Sequence, residues 1–164
     1  MECIYSTGLR ISELTALNRR DINLDRKEFA VRWKGRKVRV VYLTDVAVER
    51  IKLYFDARSD VFEPAFIRHN FDVLNITDVT DPEKYRLSRI HITTMVKNQA
   101  LKAGILKDVS AHTLRHSFAT TLLENGADIR SIQEMLWHKS ITTTQVYTHV
   151  TNPKLKEIHQ KFHR

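Results

Sequence analysis

Three short stretches of this sequence bring together side chains that can bind an anion, move a proton or act as a nucleophile. They are TGLRISEL with Arg10, HTLRH from His112 to His116, and LWHKSITTTQVYTH with His138 and Tyr147. His112 and Arg115 are three residues apart, so on a helix they stand side by side and can both contact one anion. A phenol such as Tyr147 has an unperturbed pKa of about 10 and needs a base or a strongly cationic pocket to attack at neutral pH. Each group also has a plainer explanation. A lone Arg near a helix start is usually a solvated charge, a lone Tyr is usually amphipathic core, and two His at i, i+4 are usually surface residues. A zinc site on His112 and His116 would lack the intervening Glu of the metalloprotease helix and any cysteine partner, so no metal site is expected.

The elements that must position these groups can be read from caps and periodicity. A turn signal at Ser6, Thr7 and Gly8 leads into LRISELTAL, where Leu9, Leu14 and Leu17 share a helical face and Ser12 is a candidate cap. EFAVRWKGRKVRVVYL, from Glu28 to Leu43, alternates on either side of a basic, Gly-containing turn and predicts a β-hairpin with Lys34 at its bend. Thr44 caps a helix whose apolar face is Ala47, Ile51, Tyr54 and Phe55. Residues 60–83 carry Asp60, Glu63, Asp72, Asp78, Asp81 and Glu83 against Arg68 with no clean period, which predicts a surface excursion with one strand.

The last half reads as helices. Residues 89–103 carry Ile92, Met95, Val96 and Ala100 and stop before Gly104. A helix from His112 to Asn125 is expected to bury Leu114, Phe118 and Leu122 and to end at Gly126. Asp128 caps the next, with Ile129, Ile132, Met135 and Leu136 facing the core. Thr142 and Gln145 form a capping box for a short helix carrying Tyr147. Asn152 and Pro153 start a final helix whose Leu155, Ile158 and Phe162 have no obvious core left to fill and are expected to dock elsewhere. The class is α+β, mainly α-helical with a small antiparallel sheet at one edge, in a single domain over residues 1–164.

Composition sets the outer bounds. Apolar residues at 42% and charged residues at 28%, with four Gly and three Pro, belong to a folded chain with a real core. The net charge of +8 favours a polyanionic partner, although charge alone does not separate nucleic acid from an acidic membrane. No apolar run approaches membrane length and the first residues hold no signal-peptide core, so no membrane partner is expected. The single cysteine, Cys3, cannot form an internal disulfide, which makes the cytoplasm the expected compartment. Composition and periodicity by themselves stop at a basic, mainly helical domain suited to nucleic acid.

The joint pattern goes further. TGLRISEL, then KGRKVRVVYL, then AHTLRHSFATTLLENGADIRSIQEMLWHKSITTTQVYTHV, in this order and spacing, resembles the tyrosine recombinase (phage integrase) family, and most of all its Xer-type members. The resemblance runs over nearly the whole chain and is weakest over residues 60–90. It implies that Arg10 is the first catalytic arginine, Lys34 the hairpin lysine with Lys37 as the alternative, His112 and Arg115 the HxxR pair, His138 the His-or-Trp position and Tyr147 the nucleophile. It also implies site-specific recombination of double-stranded DNA through a covalent 3′-phosphotyrosine, with no cofactor. Arg36, Lys37, Arg39, His116, Lys139 and Thr143 are the expected DNA contacts. The final helix would mediate self-association or contact with a partner recombinase, by exchange between neighbouring subunits. Family members place a DNA-clamping domain and the first catalytic-domain helices ahead of the TGLR motif, and only nine residues precede Arg10 here. Two other readings stand beside the recombinase: a catalytically silent DNA-binding or assembly remnant, and a type IB topoisomerase-like activity.

Overall fold

A computed structural model describes residues 1–32, 38–69 and 81–136. Its first element is a short helix, α1 (Glu2–Thr7), which ends on Gly8 in the left-handed region at φ 62°. The chain passes through extended Arg10 into α2 (Ile11–Thr15). The cap of α2 is therefore Arg10, not Ser12. Glu13, three residues on, folds its carboxylate back to accept the Arg10 backbone N–H at 2.8 Å, which is the N3 half of a capping box. Leu9, Leu14 and Leu17 are buried as their spacing requires.

The expected hairpin is present as β2 (Glu28–Arg32) and β3 (Val38–Tyr42), with a two-residue strand, β1 (Ile22–Asn23), added at the outer side of β2. All pairings are antiparallel, with Phe29 opposite Val41 and Val31 opposite Arg39. The turn of the hairpin lies outside the described residues. Thr44 caps α3 (Asp45–Asp56) by accepting the Ala47 N–H at 3.2 Å. Ala47 and Ile51 are buried, while Tyr54 and Phe55 lie half-buried beside them.

Residues 60–69 depart from the expected surface excursion. Phe62, Ala65 and Ile67 are buried, and Phe62 stacks on Tyr85 with ring centroids 4.6 Å apart. The acidic charge at Asp60 is matched from outside the segment. Arg58 donates to it from Nε at 2.9 Å and, from Nη1, to the carbonyls of Pro64 and Ala65, while Arg19 pairs with it at 3.2 Å. Burial alone would raise the Asp60 carboxyl, but hydrogen bonds from Arg58 and the Phe62 N–H, with the nearby guanidinium charges, hold it below the usual carboxylate range. Arg58 thus organises a loop whose acidic composition conceals its apolar anchors. Residues 70–80 lie outside the described residues.

Three more helices follow: α4 (Arg89–Lys102), α5 (Ala111–Glu124) and α6 (Ile129–Leu136). In α4, Ile92, Val96 and Ala100 are buried, but Met95 is exposed. In α5 the fully buried positions are Ala111, Arg115 and Ala119, and the larger Leu114, Phe118 and Leu122 are only half-buried. Asp128 caps α6 by accepting the Arg130 and Ser131 N–H groups, and Ile132 and Leu136 face inward while Met135 is exposed and Ile129 half-buried. Among the described residues no helix is long and apolar enough to cross a membrane.

Two apolar clusters result. The larger joins α1, α2, the sheet, α3, α4 and, through Ala111, the start of α5; the smaller joins the rest of α5 to α6 through Ala119, Ile132 and Leu136. Gly8 lies on the seam between them. A methyl group there would stand 2.5 Å from Phe118 Cδ1 and 2.7 Å from Leu136 Cδ2, in a backbone conformation that L side chains rarely adopt. Gly8→Ala is expected to destabilise the fold by roughly 2–5 kcal/mol, combining left-handed strain with overpacking. A lower urea midpoint at constant slope checks it, and an unchanged midpoint refutes it.

Candidate active site

The seam at Gly8 is also where the basic residues meet. Arg115 sits one turn into α5 on the face that packs against α1, 4% exposed, among positions a hydrophobic residue would ordinarily take. It survives there because carbonyls receive it. Its Nη1 donates to the Gly8 carbonyl and its Nη2 to the Leu136 carbonyl, so one guanidinium joins the end of α1 to the end of α6. Both terminal nitrogens are anchored in this way, which sets the plane of the fork.

Arg10 reaches the same cleft from the start of α2. Its position at the start of α2 is fixed twice by Glu13: the backbone N–H is held at 2.8 Å and Nη1 lies 3.1 Å from Oε1. His112 is exposed in the first turn of α5, whose N-cap Ser110 accepts the Thr113 N–H at 3.2 Å. Arg10, His112 and Arg115 line one open cleft, together with Leu9, Ile11, Ser12 and Ala111. Two forked cations and an imidazole around a common space, beside a helix N-terminus, suit a tetrahedral oxyanion.

The remaining expected site residues divide sharply. Arg39 is not on the outer face of the hairpin. It is 7% exposed and donates from Nη2 to Glu13 Oε2 at 2.8 Å and from Nη1 to the Met135 carbonyl, so its guanidinium cannot meet DNA as expected. The cause is strand parity. Arg39 shares a face with Val41 and lies opposite buried Val31, while Val38, Val40 and Tyr42 point outward. Burial pushes the Arg39 guanidinium below its ordinary range, and the Glu13 carboxylate opposes that shift. His116 is half-buried on α5. Lys34, Arg36, Lys37, His138, Lys139, Thr143 and Tyr147 lie outside the described residues. Among the described residues, no group of three or more His, Cys, Asp or Glu could hold a metal ion.

Glu13 is the residue of this site that sequence reasoning missed. Its signal was present, because a Glu three residues after the candidate arginine is the spacing of a residue that reaches back to the start of a helix.

Residues 1–153 match the phage integrase family. The chain belongs to that family. Within it, the chain is 42% identical over 163 residues to the tyrosine recombinase XerD of Staphylococcus saprophyticus, and 44% identical over 165 residues to that of Oceanobacillus iheyensis. Each match covers 99% of this chain and 53% of the relative, so the chain spans about half the length of these curated relatives. Among solved structures, the crystal structure of XerA recombinase superposes with a TM-score of 0.79 at 32% identity, covering 99% of this chain and 55% of that one. XerH recombinase bound to its palindromic difH substrate in a post-cleavage complex gives 0.75 at 25% identity, covering 99% and 44%. The phage integrase fold and the expected class, mainly helical with a small antiparallel sheet, are thereby established.

Proposed function

We propose that this chain carries the strand-cleaving and rejoining centre of a site-specific DNA recombinase. The observation that carries the reading is the convergence of Arg10, His112 and Arg115 on one cleft, at the family positions that would bind the scissile phosphate. Attack on a phosphodiester adds negative charge to non-bridging oxygens that are already anionic, and fixed guanidinium forks aimed at them lower the barrier. Tyr147 supplies the nucleophilic oxygen and His112 accepts its proton. The Tyr147 oxygen bonds to phosphorus, the bond from phosphorus to the 5′ oxygen breaks, and Lys34 protonates the departing oxygen. His138 donates to a non-bridging oxygen. The 3′-phosphotyrosine keeps the bond energy, so a 5′ hydroxyl can reverse the step without ATP. On the same reading, Arg36, Lys37, Lys139 and Thr143 contact the DNA backbone, and Leu155, Ile158 and Phe162 mediate contact between recombinase subunits.

The test uses a pool of nicked duplexes randomised around the nick, from which the short cleaved fragment diffuses away and traps the covalent state. A protein–DNA band that survives denaturation, with the protein on the 3′ side of the break, is expected. DNA binding without any such band refutes the cleavage reading and identifies a silent DNA-binding remnant.

A further inference from the structure

Arg39 is the one described cation of the hairpin strands that is wholly inside the protein, and its two bonds lead to both sides of the cleft. Through Glu13 it reaches Arg10, since the same carboxylate that accepts Arg39 Nη2 at 2.8 Å also holds the Arg10 guanidinium and backbone. Through the Met135 carbonyl it reaches the end of α6, one residue before the carbonyl that holds Arg115. We propose that Arg39 is a positioning residue for the phosphate cleft, fixing the aim of Arg10 through Glu13 and locking the end of α6 to β3. It touches no substrate.

The electrostatics explain why such a residue is needed. Glu13 is 8% exposed, and a buried carboxylate facing Arg10 alone would draw that guanidinium inward and cancel it. Two guanidiniums around one carboxylate leave the cluster with one net positive charge, so Arg10 can be held by Glu13 and still attract an anion. The geometry also explains why the residue is arginine. A planar fork spans a carboxylate and a carbonyl on different elements, whereas an ammonium is a point charge that keeps the first contact and gives up the bridge. β3 leaves the hairpin turn and α6 precedes the next segment, so Arg39 ties the strand after Lys34 and the helix before His138 to the same frame.

This inference rests on the phosphate-binding part of the function proposed above, and its test separates the two. Protein labelled with 15N-arginine is titrated with inorganic phosphate while the Arg10 side-chain Nε–Hε resonance is followed, assigned by its loss in Arg10→Lys. Wild type is expected to show a dispersed Arg10 resonance that shifts saturably. In Arg39→Met the resonance moves toward that of free arginine and phosphate affinity falls roughly tenfold, in the range of energies that couple neighbouring groups. Arg39→Lys, which keeps the charge and lacks the bridge, falls in between and decides the matter if the methionine variant does not fold.

On nicked DNA, Arg39→Met is expected to slow adduct formation on the order of 100-fold through misplacement of Arg10, while the DNA dissociation constant stays unchanged. A wild-type protein that forms no adduct removes the cleavage reading, yet the phosphate titration still decides the role of Arg39. A folded Arg39→Met or Arg39→Lys variant with the wild-type Arg10 resonance and wild-type phosphate affinity overturns the proposal.

Discussion

Arg115→Ala is expected to lower adduct formation on nicked DNA by about 1000-fold or more, because on the proposed function it removes a transition-state donor and loosens the walls of the cleft together. Loss of a single preorganised donor to a developing oxyanion costs on the order of 100- to 1000-fold. Here the same side chain also holds the Gly8 and Leu136 carbonyls, at the ends of α1 and α6, so alanine leaves two buried acceptors without their donor. That adds an unfolding cost of roughly 2–5 kcal/mol. Arg115→Lys separates the two contributions. It keeps the positive charge but cannot serve both carbonyls and a phosphate in one plane, so stability should recover more than cleavage. Single-turnover adduct formation, with folding followed by circular dichroism, measures both. An Arg115→Ala protein that is folded and cleaves at the wild-type rate would place the phosphate pocket elsewhere.

The double duty proposed for Arg115 follows from where the cleft lies. The cleft forms where the start of α2 meets the first turns of α5, against Leu9 and Ala111 of the larger cluster, and the seam beside it is closed by polar bonds and by the glycine that lets Phe118 and Leu136 approach the backbone. Arg10, Glu13 and Arg39 form a second bonded group on the other wall. Sites built this way are stiff because their donors are paired within the protein before any ligand arrives, which is the condition for electrostatic stabilisation without reorganisation.

These arrangements were legible in the sequence to different depths. Caps and turns were plain: Thr44, Asp128 and Gly126 act as their residue types dictate, since local hydrogen bonding and backbone freedom decide such positions. The grouping of Arg10 with His112 and Arg115 depended on motif order, because no local pattern relates residues a hundred positions apart. The inward turn of Arg39 was hidden by its neighbours. Val38, Val40 and Tyr42 suggest that the other face of β3 is buried, and only the pairing with Phe29 and Val31 across the sheet decides the parity. Arg115 was hidden in a different way, for a helix pattern assigns the core to Leu114, Phe118 and Leu122 and gives no place to a buried cation neutralised by carbonyls. Residues 60–69 differ from the surface excursion that their acidic composition predicts because the compensating Arg58 and Arg19 lie earlier in the chain.

Tyr147→Phe is expected to abolish the covalent adduct completely while changing DNA affinity by no more than about twofold. The substitution deletes one oxygen and leaves the ring, so only the group that would bond to phosphorus is gone. Binding of a basic chain to a duplex is dominated by phosphate contacts from Lys and Arg, which fall steeply with salt, and a single phenol contributes little to them. The two measurements therefore come apart if Tyr147 is the nucleophile. If the phenylalanine protein still forms an adduct in wild-type yield, another residue makes the bond and the assignment of Tyr147 is lost. If it forms none and its binding curve overlays the wild type at two salt concentrations, the phosphate-holding arginines and the attacking group have been separated by one atom.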